Sequence, residues 1–522
     1  MAANAVRTTA GPMFIVGDGT RTRGHDAQRW NIAAGKAVAE AVRTTLGPRG
    51  MDKLLVDSSG NVVITNDGVT LLEEMDVDHP AAKMLVDVAR TQEDEVGDGT
   101  TTAAVFAGQL LARAEDLLEQ DVHPTAIVEG YAAARDLALD AVDDVTTDGD
   151  VDDDRLRDVA RSSMTGKGTG DVSADALADI VVSAVRRVTD DDGVHRDDVH
   201  VRTQVGASSG ATSLVDGVVV SEEPLGHDAA VRVEDADVLV FDAKLEGRET
   251  EVDVAYDVTD VAQLDAAMDA QEAELRRLAD AVADTGADVV FCTKAVDDRV
   301  AAALADRGVV VYEKVDGDDA DAVRTATGAR LSRDAFDVDA DDLGRADEVR
   351  VERFGEDAAT FVERADAPAV TVFARGGTEH VVAELERALG DAVDVVAAAA
   401  EGGVVPGAGY AELAAAAAVR DGAAGVHGRA QLAAEAFADA LDVLPRTLAA
   451  NAGMDPVDAM ADLHAAVESG PAGVLLADDR GVLGDPVEAG VFDPAAVKRE
   501  AVEAATEAAT MIVRIDDVVA AE

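Results

Sequence analysis

The sequence predicts a multidomain protein whose two ends are mostly α-helical and whose middle is α/β. Three observations lead there. The 522 residues exceed what one hydrophobic core usually supports, so roughly three domains are expected. Both ends carry Ala-rich stretches with helical spacing. The middle alternates short Val-rich runs with helical segments.

From about Ala27 to Leu46, the residues Ile32, Val38, Ala39, Val42 and Leu46 recur at helical spacing, and Gly47-Pro48 closes the helix with a turn. A strand pair is expected next, Lys53–Val56 and Val62–Thr65, joined by a turn at Ser58–Asn61. Ala-rich helices follow between about Ala81 and Asp143, and the acidic run Asp143–Asp154 interrupts them. Further on, Val218–Val220, Val238–Phe241, Val289–Cys292 and Val309–Tyr312 read as buried strands. Between two of them, the helical segment Ala262–Ala283 aligns Leu264, Met268, Leu275, Leu278 and Val282, with Gly286 as its stop. A strand at Val370–Phe373 ends in Gly376-Gly377, and mostly Ala-rich helix continues from there. Pattern alone does not show that the two helical ends form one domain.

The apolar fraction is 48% but aromatics are only 3%, so the cores are expected to pack small side chains closely. The formal net charge of −60 excludes broad affinity for phosphate backbones or anionic lipid. The acid is spread along the chain and lacks the ligand spacing of a calcium loop, which points to a solvated surface adapted to a salt-rich cytoplasm. Cys292, the single cysteine, sits in the apolar run Val289–Cys292 and reads as a small core residue. The nine histidines form no zinc pattern. No segment has the length of a signal peptide or of a membrane helix, so a soluble cytoplasmic protein is expected.

The run Gly97-Asp98-Gly99-Thr100-Thr101-Thr102 opens a helix with Ala103, Phe106, Leu110, Ala114 and Leu117 on its apolar stripe. Glycines admit a ligand close to the backbone, and the unpaired amides of a helix start favour phosphate. Thr hydroxyls add donors, and the Asp carboxylate suits magnesium. The same residues would equally make an ordinary capped turn. Three further loops are unremarkable in isolation: Thr45–Gly50, Thr65–Thr70 with Asn66-Asp67-Gly68, and Val405–Gly409. Neither a Walker A motif nor a Rossmann fingerprint is present, so nucleotide binding would need another device.

In this order and at this spacing, the loops resemble those of the group II chaperonins, the archaeal thermosome family related to the eukaryotic cytosolic chaperonin. The stretch Asn31–Thr102, with TTLGPRG, ITNDGVT and EVGDGTTT, carries most of the likeness. VHPTAIVEGY (Val122–Tyr131), SSMTGKG (Ser162–Gly168), GGTEHVVAELERALGD (Gly376–Asp391), RAQLAAEAFADALDVLP (Arg429–Pro445) and ATEAATMIVRIDDV (Ala505–Val518) extend it nearly end to end.

The resemblance implies a multidomain chaperonin fold, and with the acid content it implies a halophilic archaeon as source. A mostly helical equatorial domain would comprise residues 1–148 and 402–522. A small α/β intermediate domain would comprise 149–217 and 369–401. An α/β apical domain, 218–368, would carry a helical lid protrusion near 244–276. The implied activity is ATP hydrolysis coupled to lid closure and to folding of unfolded proteins inside a stacked double ring of like or paralogous subunits. No detachable co-chaperonin, nucleic acid or membrane partner is implied.

Motif by motif, Asp98 resembles the carboxylate that coordinates Mg2+, with Gly99, Thr100, Thr101 and Thr102 around the phosphates of ATP. Asp67, next to Gly68, resembles the residue that positions the attacking water. Asp391 resembles the catalytic base carried by the moving intermediate domain, so hydrolysis would wait for that domain. Lys167 resembles the γ-phosphate sensor. Leu46, Gly47 and Pro48 resemble adenine and ribose contacts, as does Asp493. The loop Gly407-Ala408-Gly409 departs from the family's three glycines: Ala408 is tolerable at negative φ but crowds a close backbone approach otherwise. Ala408 and the divergent apical region leave an alternative open, a structural or holding subunit of mixed rings with weak ATPase activity.

Overall fold

A computed structural model describes residues 21–56, 62–75, 77–147, 151–167, 172–226, 231–246, 261–355, 357–477 and 480–519. The expected turn at Ser58–Asn61 and residues 247–260 of the expected lid segment lie outside them. The chain divides into two compact units, one formed by Met1–Thr146, Pro406–Ala489 and Val497–Glu522, the other by Thr147–Val405 and Gly490–Ala496.

The first unit is helical. Its helices include His25–Val42, Pro80–Val96, Thr100–Glu119, Pro124–Val145, Tyr410–Ala423 and Ala430–Leu441. Small residues let them approach closely: a Cβ on Gly108 would fall 2.1 Å from Ala39 Cβ, so the helices His25–Val42 and Thr100–Glu119 cross nearly in backbone contact. Among the described residues, the unit's fully buried aromatic rings gather in one cluster, where Phe437 meets Phe106 and Tyr131 edge-on at 5.3 and 5.7 Å between ring centres. The Tyr131 hydroxyl, fully buried, donates to Leu110 O at 2.7 Å. The strands Arg21–Arg23 and Asp517–Val519, first and last of those described, form an antiparallel pair. The hairpin Lys53–Val56 and Val62–Thr65 forms as expected.

The second unit holds two sheets. In the smaller, Val370–Gly376 lies between Val199–Val205, which is parallel to it, and Ser213–Val215, which is antiparallel. The helices Asp153–Met164, Ala174–Arg187 and Glu379–Gly402 pack on it around Leu156, Val181, Leu385 and Val393. The larger sheet begins as expected, with Arg232–Phe241, Val289–Cys292 and Val310–Tyr312 in parallel register. It continues with strands absent from the sequence reading: Gly344–Phe354 and Asp357–Glu363 extend it antiparallel toward Gly217–Val220. The helix Val261–Asp284 buries Leu275, Leu278 and Val282, and Gly286 follows it at φ +87°. Cys292 is buried, and burial pushes its thiol pKa up to about 11. No described helix is long and apolar enough to cross a membrane.

The Phe437 cluster gives a direct test. Phe437→Ala leaves a cavity among helices that are already close-packed, and it should cost about 3–5 kcal/mol. A lower denaturant midpoint for the helical unit in high salt would show this loss, whereas an unchanged midpoint would mean the cluster is not a core.

Candidate nucleotide site

Four of the loops picked out in the sequence meet in the helical unit. The run Gly97–Thr102 forms a sharp link between two helices. Gly97 ends Pro80–Val96 at φ +65°, and Gly99 caps Thr100–Glu119 at φ +85°. Between them, Asp98 Oδ1 accepts from the Gly99 amide at 2.7 Å. Gln92 Nε2 fixes this link from below, donating to Asp98 O at 2.8 Å and to Val497 O at 3.2 Å.

The loop Thr65–Thr70 lies against the start of that second helix. A Cβ on Gly68 would fall 2.4 Å from Thr101 Oγ1, 2.9 Å from Thr100 Oγ1 and 3.0 Å from Thr101 N. Only a residue without a side chain allows the two loops to come so near. Asp67 is the N-cap of the short helix Gly68–Glu74: its Oδ2 accepts from Thr70 N at 2.9 Å and from Thr70 Oγ1 at 2.6 Å. Both bonds use one oxygen, so the capping role leaves Asp67 Oδ1 without a hydrogen bond among the described residues.

Thr45–Gly50 joins the same group. Thr45 Oγ1 lies 3.4 Å from Thr101 Oγ1. Asn451 Nδ2 donates to Leu46 O at 2.8 Å and to Arg43 O at 3.2 Å, holding the exit of the first helix. The Leu448 side chain would come 2.4 Å from a Cβ on Gly47 and 3.4 Å from a Cβ on Gly409, so one leucine backs both Leu46-Gly47-Pro48 and Gly407-Ala408-Gly409. Ala408 adopts φ +58°, the left-handed region, and its carbonyl accepts from Val474 N at 2.9 Å. The methyl therefore carries the backbone cost anticipated for positive φ.

The remaining predicted residues belong to the second unit. Lys167 Nζ donates to Asp391 Oδ2 at 2.5 Å, joining the end of Asp153–Met164 to the middle of Glu379–Gly402; both side chains are mostly buried. One turn further along the latter helix, Asp394 is tethered by Arg196. Asp493 lies in the strand Phe492–Pro494, which pairs with Val404–Pro406.

Sequence reasoning missed Gln92, Leu448 and Asn451. Each supports a loop from a neighbouring helix, and no spacing signal marks such a residue. Among the described residues no group of three or more His, Cys, Asp or Glu could hold a metal ion. Asp98 has one oxygen engaged by a backbone amide and no described cationic partner, a donor set that suits a metal also bound by phosphate oxygens.

The family model for the TCP-1/cpn60 chaperonin family matches residues 38–522. The chain is 62% identical to thermosome subunit 3 of Haloferax volcanii, over 98% of this chain and 99% of that protein. It is 48% identical to thermosome subunit alpha of Halobacterium salinarum, over 98% and 91%. It is 46% identical to thermosome subunit beta of Archaeoglobus fulgidus, over 98% and 95%.

Two substitutions test the geometry of the loops. Ala408→Gly should stabilise the helical unit by about 0.5–1 kcal/mol, because relief at positive φ outweighs the added freedom of the unfolded chain. Gly68→Ala should destabilise it by about 1–3 kcal/mol through the clash with Thr101. Denaturation midpoints of both variants check the signs.

Proposed function

The chain belongs to the TCP-1/cpn60 chaperonin family, and from that premise we propose how its residues share the work of ATP hydrolysis. It is a group II chaperonin subunit, an ATP-hydrolysing molecular chaperone. The observation that carries the site assignment is the meeting of four loops at Thr101 and Leu448.

In this reading Leu46, Gly47, Pro48, Gly407, Ala408 and Gly409 hold the adenosine end of ATP, together with Asp493. Gly68, Gly99 and the Thr100–Thr102 hydroxyls and amides hold the phosphates. Asp98 would hold Mg2+, which supplies charge neutralisation between the triphosphate and the nearby carboxylates. Asp67 keeps its helix cap through Oδ2 and orients the attacking water through Oδ1. Asp391 accepts the proton from that water. Lys167, paired with Asp391, would turn to the γ-phosphate and so release the base. The three-part organisation follows from the same premise: an equatorial domain of residues 1–148 and 402–522, an intermediate domain of 149–217 and 369–401, and an apical domain of 218–368 with its lid near 244–276.

Association with like or paralogous subunits in a stacked double ring has support in the hairpin Lys53–Val56/Val62–Thr65. One face carries the cross-strand pairs Leu54–Ile64 and Val56–Val62, and all four side chains are exposed. An exposed apolar face on an isolated two-stranded sheet suits a neighbouring subunit. Unfolded protein would be the client, enclosed without a detachable lid protein. The weak-ATPase holding subunit rests on the divergent apical region and on Ala408, whose backbone nonetheless takes the left-handed conformation that a glycine would take there.

Magnesium-dependent hydrolysis by the assembled protein in high salt separates these readings. Asp391→Ala should lower kcat by about two orders of magnitude or more while ATP still binds, and Asp98→Ala should weaken Mg-ATP binding. Absent hydrolysis, or hydrolysis indifferent to Asp391→Ala, would overturn the assignment.

A further inference from the structure

Three helices begin immediately after candidate nucleotide loops. Thr100–Glu119 follows Gly97–Gly99, Tyr410–Ala423 follows Gly407–Gly409, and Ala495–Val513 follows the strand containing Asp493. The first turns of the last two are joined by a polar contact inside the helical unit. Lys498 Nζ donates to Glu412 Oε1 at 2.8 Å, with side-chain exposures of 13% and 8%. Thr102 and Phe106 of the phosphate-loop helix line the same small cavity, closed by Leu441 and Val502. Glu412 Oε2 is buried there without a hydrogen-bond partner among the described residues.

Stability does not account for this arrangement. Removing two charges from water is costly, and apolar residues of similar volume commonly fold as well or better. What an ion pair adds over an apolar pair is direction: a charge-assisted hydrogen bond fixes distance and orientation where hydrophobic contacts tolerate sliding. Glu412 is the third residue after Gly409, and Lys498 is the fifth after Asp493. Lys498 also follows Val497, whose carbonyl accepts from the Gln92 amide that holds Asp98 O, so the separation of Glu412 and Lys498 bears on both loops.

We propose that Glu412 and Lys498 are positioning residues for the nucleotide: their buried ion pair sets the spacing between the Gly407–Gly409 loop and the Gly97–Thr102 link, which Gln92 ties to Val497 beside Lys498. The inference rests on the nucleotide-site reading above. Neither residue contacts the nucleotide in this scheme; both act through the helix starts that carry the loops.

The test measures binding of a fluorescent ATP analogue with Mg2+ to the assembled full-length protein, with a denaturation midpoint for every variant. Glu412→Asp keeps the charge and retracts the carboxylate by one methylene. It should fold with a near-normal midpoint and bind about threefold more weakly. The apolar pair Glu412→Leu/Lys498→Met should recover or exceed the wild-type midpoint yet bind about tenfold more weakly, with KM for ATP rising more than kcat falls. If either of these variants folds and binds the analogue like wild type, the pair is structural only and the proposal is overturned. Asp98→Ala provides the separate control. An analogue that fails to bind wild type, or binds Asp98→Ala equally well, refutes the site reading itself, whatever the pair does.

Discussion

The close approach of Gly68 to Thr101 is the constraint on which the candidate site depends. With any side chain at position 68, the loop carrying Asp67 would have to lift from the start of Thr100–Glu119. The Thr100 and Thr101 hydroxyls would then no longer face the loop that ends in a carboxylate. The same economy recurs at Gly47 and Gly409, which share Leu448 as a backstop. Backbone can lie this near backbone because the unit is rich in Ala, Gly and Val, with its fully buried described aromatic rings gathered around Phe437. A core richer in large side chains would hold the loops further apart.

Charge imposes the second constraint. With 105 acidic against 45 basic residues, a triphosphate meets a chain that repels it, so local neutralisation must be arranged. Helix-start amides and hydroxyls provide part of it without a net charge. Lys167 is bound to Asp391, so the cation assigned to the γ-phosphate and the carboxylate assigned to the water restrain one another. The attraction holding Lys167 in place is then of the same kind as the one that would draw it to phosphate, and a competition between two anions for one ammonium is a natural trigger.

Much of the fold was legible in the sequence, and the failures have physical reasons. The hairpin at Lys53–Thr65 and the strands Val289–Cys292 and Val310–Tyr312 were readable because their apolar runs are short and sharply bounded. Gly344–Phe354 was not, because Arg350 there bonds Glu363 across the sheet and lies over the Phe361 ring at 4.2 Å, so charge stands where an apolar residue would have marked a strand. In the site, Asp67 read as an ordinary turn residue, and it is one, through Oδ2. A capping signal cannot report what the second oxygen does. Asn451 and Gln92 act across more than 400 residues on Leu46 and Val497, a relation that no local pattern encodes.

Rigidity in the helical unit also limits where a conformational gate can reside. Thr101, Gly68, Gly47 and Gly409 are held by contacts that tolerate little displacement, and Asp98 is fixed by the Gly99 amide and, through its carbonyl, by Gln92. A site so closely braced can bind, but it has little freedom to switch. The residues assigned to proton transfer and phosphate sensing stand instead on Glu379–Gly402 and just after Asp153–Met164, elements of the other compact unit. Apart from Asp493, the binding residues and those assigned to hydrolysis are thereby proposed in different compact units of one chain. In the proposed reading, that division would let the subunit hold ATP before it commits to cleaving it.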